Sequence, residues 1–92
     1  MNYSKRTVEN YAIGNVCIVT FNRQFHTEPV QKGWLVHNDP KQFHSDAMVK
    51  YALLCLDGSF IGFNLNVVDG IRLANGKVVF ARDGKAEDEW MN

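Results

Sequence analysis

The sequence is short of the patterns that announce chemistry. It holds two cysteines and three histidines. None of their spacings gives the close ligand pairs of a zinc site, so no metal is expected at His26, His37 or His44. Cys17 and Cys55 each sit inside an apolar run, Val16-Cys17-Ile18-Val19 and Leu53-Leu54-Cys55-Leu56. Cysteine in that setting behaves as a small buried hydrophobe, and no spacing supports a disulfide between the two. There is no phosphate-binding loop: Gly58-Ser59-Phe60-Ile61-Gly62 is apolar and lacks the closing Lys-Ser/Thr. His44-Ser45-Asp46 contains the residue types of a catalytic triad, but sequence neighbours do not reach triad geometry. The carboxylates are scattered, and those followed by glycine already have a turn role. No catalytic residue and no cofactor is therefore expected.

Other absences bound the class of protein. No run approaches the roughly 18–20 apolar residues that span a bilayer, and Met1-Asn2-Tyr3-Ser4-Lys5-Arg6 lacks the apolar stretch of a signal peptide. A cytoplasmic location with reduced thiols and no membrane partner is the expectation. Formal net charge is zero, so the overall positive field that draws proteins to nucleic acid is missing. The two halves differ mildly: residues 1–41 sum to +2 and residues 42–92 to −2. No repeat, linker or low-complexity segment interrupts the chain.

What is there suits one small domain over residues 1–92. A chain of 92 residues has room for a single core. Its 46% hydrophobic and 22% charged residues are near globular averages. Four Asp-Gly or Asn-Gly pairs punctuate the second half: Asp57-Gly58, Asp69-Gly70, Asn75-Gly76 and Asp83-Gly84. Such pairs accept the positive φ of tight turns and mark hairpins when apolar runs flank them. A two-residue loop at Asn75-Gly76 sets Leu73 opposite Val78 and Ile71 opposite Phe80, all on one face. A similar loop at Asp57-Gly58 sets Leu54 opposite Ile61 and Ala52 opposite Phe63. The stretch 40–56 also fits a helix capped by Asp39, begun at Pro40 and stopped at Gly58. A third solution joins a helical turn over Pro40–Asp46 to a following strand. Asn15–Asn22 and Val30–Asn38 read as strands, separated by a long loop over 23–29. Lys5–Ile13 fits no single element. The acidic tail 85–92 is expected to be mobile unless Trp90 docks.

Leu56-Asp57-Gly58-Ser59-Phe60-Ile61-Gly62-Phe63, followed by Asp69 and Leu73, resembles the first motif of Sm-like proteins. Gly76-Lys77-Val78-Val79-Phe80-Ala81-Arg82-Asp83-Gly84 is similar to their second motif. The likeness covers about a third of the chain. It departs at Asp83, where the family has glycine, and after Asp69, where the usual asparagine is missing. It implies a small twisted sheet or barrel and, by analogy, contact with RNA.

The expected fold is thus mainly β: a small, strongly bent antiparallel sheet or partly open barrel of four to six strands, with at most one helix. The expected function is non-enzymatic binding through the surface. Compact domains of this size and character are common among phage and mobile-element proteins that block host machinery sterically, anti-CRISPR proteins included. The candidate partner contacts are Arg23, Phe25 and His26 in one loop and Lys41, Phe43 and His44 in a second stretch. In each, cations alternate with aromatics, which suits a protein or nucleoprotein surface. The same pattern suits direct stacking on single-stranded nucleic acid, as in Sm-like or OB-like modules.

Overall fold

A computed structural model describes residues 4–82. Six strands form one open antiparallel sheet, not closed into a barrel: β1 (Val16–Phe21), β2 (Val30–His37), β3 (Tyr51–Cys55), β4 (Phe60–Phe63), β5 (Val68–Leu73) and β6 (Val78–Ala81). Their order is β4-β3-β2-β1-β5-β6. A helical segment precedes them, α1 (Lys5–Thr7), which runs directly into a π-helical turn, Val8–Ala12. The tail 85–92, with Trp90, and the pair Asp83-Gly84 lie outside the described residues.

The connection from β4 to β5 sets the shape. The two strands are four places apart in the sheet, which is roughly 19 Å if the sheet were flat. The chain from Phe63 to Val68 reaches at most roughly 17 Å when fully extended, and part of it is coiled into a 3-10 turn over Leu65–Val67. The sheet must therefore curl so that β4 approaches the β1–β5 side. Ring contacts confirm the curl: Phe63 of β4 meets Phe21 of β1 edge-on, with centroids 5.0 Å apart, although β2 and β3 lie between them in the sheet. Tyr51 also meets Phe63, with ring centroids 5.9 Å apart and the planes tilted by 33°.

The concave face holds the core. Cys17, Val19, Phe21, Leu35, Leu53, Val68, Ile71 and Val79 are buried there, and Val8 and Ala12 of the helical segment pack onto them. The helical segment is pinned from both sides. Glu9 bonds to β2 and β3, and the Lys77 ammonium sits 4.9 Å from the centre of the Tyr11 ring. The β4–β5 connection is held by Arg82, whose guanidinium donates to the carbonyls of Leu65, Asn66 and Val68 at 2.9–3.0 Å through Nη2.

Both observed hairpins use three-residue loops. Cys55 N–H donates to Ser59 O and Leu73 N–H to Lys77 O, leaving Leu56-Asp57-Gly58 and Ala74-Asn75-Gly76 as the turns. Gly58 and Gly76 take φ of 89° and 92°, a left-handed conformation that closes this loop class. The Asp57 and Asn75 carboxyl and amide oxygens each accept the N–H two residues on. The added residue corrects the two-residue expectation at Asp57-Gly58 by one step: Leu54 faces Phe60, Leu53 faces Ile61, and Tyr51 faces Phe63. That slip turns Tyr51 and Leu53 inward, and Leu54 outward. In the second hairpin the pairing Ile71 to Phe80 stands, because a bulge at Val79 absorbs the extra residue; Val78 faces Arg72 rather than Leu73. Asp69-Gly70 makes no turn. It lies within β5, beside the register shift against Thr20 and Phe21.

Over 40–56 the structure takes the mixed solution. Asp39 O accepts from Gln42 and Phe43 N–H, which gives a single helical turn, and β3 begins at Tyr51. The full helix fails because its last turns would expose or bury apolar residues on every side, whereas a strand sends alternate residues to two faces.

Because Phe63 is wedged between Phe21 and Tyr51, Phe63→Ala should cost about 3–5 kcal/mol in urea unfolding. Trp34→Ala, on the outer face, should leave the midpoint nearly unchanged.

Candidate functional site

The convex face of the sheet carries an apolar row. Strand register places Val16, Trp34, Leu54 and Phe60 side by side on four successive strands, pointing away from the core. Trp34 remains 51% exposed and Phe60 42% exposed. The loop 38–50 extends this row. Phe43 packs on Phe60 with ring centroids 5.7 Å apart, and His44 lies so close over Gly62 that a methyl group at that position would collide with its side chain. Ala52 is buried yet is not part of the core cluster.

That loop is long but firmly held. Asn38 donates its amide to the carbonyls of His44 (2.9 Å) and Val49 (3.1 Å) and accepts the N–H of His44 at 3.0 Å. Asn64, at the start of the β4–β5 connection, accepts Lys50 N–H and donates to Met48 O. These bonds tie the loop at both ends without regular structure, and Phe43 and His44 are held against Phe60 and Gly62.

The loop 22–29 is built on Phe21. Phe25 and His26 lie 5.4 and 6.1 Å from the Phe21 ring, and both N–H groups donate to Asn22 O. Their rings thus anchor the loop, although Phe25 keeps 42% of its surface exposed. Arg23 is exposed beside a cavity that Thr20, Pro29 and Asp69 also line. Asn22 N–H donates to Val67 O, so the β4–β5 connection touches this loop at one end and, through Asn64, the 38–50 loop at the other. The six candidate residues fall in two groups: Phe43 and His44, with Lys41 exposed nearby, join the convex row; Arg23, Phe25 and His26 stand apart from it. Trp34, Leu54 and Phe60 were not among the candidates. Their signal is the strand alternation, which becomes readable only once the register is known.

A polar cluster lies where the helical segment meets β2 and β3. Glu9 accepts a hydrogen bond from the Tyr51 hydroxyl at 3.1 Å and meets His37 Nε2 at 2.8 Å. Tyr51 is 2% exposed. Burial, and then the bond to the Glu9 carboxylate, hold its phenol well above the usual tyrosine range, so it stays a donor. Glu9, His37 and Tyr51 line one cavity with Lys5 and Lys50. The scattered carboxylates and lone strand histidine of the sequence thus include one pair that the fold brings together. Among the described residues no group of three or more His, Cys, Asp or Glu could hold a metal ion, and no described helix is long and apolar enough to cross a membrane.

No protein-family model, curated protein or solved structure matches the chain. The Sm-like motifs do not carry over as a site either. Arg82, the arginine of the second motif, spends its donors on the carbonyls of Leu65, Asn66 and Val68, and the first motif falls on the β3–β4 turn and β4.

Both cysteines are free thiols. Cys17 is fully buried, and burial pushes its thiol up to about 11. An unfolded chain gives up that proton near the ordinary cysteine value of 9.0, so between roughly pH 9 and 11 the unfolded state holds fewer protons and stability falls. Urea titrations across this range should show the fall, with a shallower slope in Cys17→Ala. In a native-state thiol assay Cys55, half-buried, should react first, and Cys17 only as fast as the protein opens.

Proposed function

We propose that this protein is a non-enzymatic binding module that engages a protein partner through the convex face of its sheet. The observation that carries this reading is the row of Val16, Trp34, Leu54 and Phe60, extended by Phe43. Burying half-exposed aromatics on a rigid sheet costs little side-chain entropy, and such residues dominate interface energies. A contiguous apolar patch with a polar margin is the usual mark of an interaction surface. Lys41 and His44 supply that margin and orient the partner; Arg23 and Phe25 add a second, separate contact. Steric blocking of host machinery, in the manner of phage-encoded anti-CRISPR inhibitors, is the biological form this reading takes. It rests on small size and surface character.

A second reading is supported by charge. The outward strand positions from β1 to β4 include Lys32, two residues before Trp34, and no carboxylate. Aromatics with neighbouring cations can stack bases and neutralise phosphates. Affinity would then fall steeply with salt.

Affinity enrichment with the intact chain and with Trp34→Ala/Phe60→Ala separates the outcomes. The expected result is a partner retained by the intact chain whose Kd weakens at least about 100-fold in the double variant, with the thermal midpoint unchanged. Equal retention by both would overturn the assignment of the face. Low-salt anisotropy with mixed oligonucleotides tests the second reading, which fails if no binding appears.

A further inference from the structure

The cavity beside Glu9 is distinct from the convex face and has a composition of its own. It is an open depression of about 280 Å³ between the helical segment, the end of β2 and the 38–50 loop. That volume lies at the small end of ligand pockets. Pro40, Ala47 and Val49 give it an apolar side, and two exposed lysines, Lys5 and Lys50, line it from separate elements. Among the described residues its single carboxylate, Glu9, is already engaged by His37 and by the Tyr51 hydroxyl. Among the described residues neither lysine makes an ion pair. The result is a cavity with an excess of positive charge whose one anion is spoken for. Two cations from separate elements beside one depression attract an anion to it. An inorganic ion would leave the apolar side unfilled.

From this we infer that the cavity binds a small organic anion, with its carboxylate between Lys5 and Lys50 and its apolar body against Pro40, Ala47 and Val49. Glu9 is a positioning residue there. By holding His37 and Tyr51 it fixes the floor, and it keeps the helical segment, and with it Lys5, against the sheet. Occupancy would therefore also bridge the helical segment to the 38–50 loop, which carries Phe43.

Amide chemical-shift titrations of the intact chain test this with three probes. Sodium benzoate has both the charge and the apolar body, benzamide has the body alone, and inorganic phosphate has the charge alone. Benzoate is expected to shift the amides of Ala47, Val49, Lys50 and Tyr51 saturably, with a Kd on the order of millimolar. Benzamide and phosphate should each bind at least about tenfold more weakly. Lys5→Gln/Lys50→Gln should lose benzoate binding by a similar factor while leaving the rest of the spectrum in place. The inference is overturned if benzoate gives no saturable shift by about 10 mM, if benzamide or phosphate binds as tightly, or if the double variant binds as well as the parent. Trp34→Ala/Phe60→Ala should bind benzoate normally, so failure here and failure of the convex-face reading are separate results.

Discussion

The length of the connection between β4 and β5 is the constraint on which the rest of this structure depends. Residues 64–67 cannot bridge four strand spacings of a flat sheet, so the sheet curls and creates a concave side. Phe21, Tyr51 and Phe63, drawn from β1, β3 and β4, then meet ring to ring across the interior. Arg82 secures the connection by donating to the carbonyls of Leu65, Asn66 and Val68. The helical segment closes over the concave side with Val8 and Ala12.

Curling a sheet makes its two faces unequal. The concave face is filled by core residues and the helical segment. The convex face is more open: Trp34 stays half exposed, and Phe60 keeps 42% of its surface exposed although Phe43 packs on it. Apolar residues at those positions add little to folding, because their area stays half in water. The 38–50 loop contributes to this face only because Asn38 and Asn64 hold it there. The same loop walls the cavity near Glu9, so the two candidate sites share an element while using different residues.

The pattern of the chain carried the strands well. Val16–Phe21 and Val30–His37 sit where β-branched runs announced them, and Gly58 and Gly76 close the turns their Asp-Gly and Asn-Gly pairs marked. Less legible was the loop length. One residue more than a two-residue turn exchanges the inner and outer faces of β3, and no local preference distinguishes the two registers strongly. Asp69-Gly70 has the same residues as a turn but lies in β5, where pairing with β1 overrides local propensity. Of the candidate contacts, named from the alternation of cations and rings, Phe43 and His44 lie beside the convex row. Phe25 and His26 matched the same pattern, but their rings lie against Phe21.

By itself, the sequence determined a mainly β fold, the reversals at Asp57-Gly58 and Asn75-Gly76, and the lack of any local catalytic or metal-binding motif. Those properties follow from neighbours within a few residues of each other: alternation, turn chemistry and ligand spacing. Only the tertiary structure decided which face Trp34, Leu54 and Phe60 occupy, and that Glu9 would meet residues 28 and 42 positions away. Such juxtapositions depend on strand register and sheet curvature. Both are fixed by the simultaneous closure of the hairpins, the short β4–β5 connection and the packing of one shared core, and no stretch of chain expresses them alone.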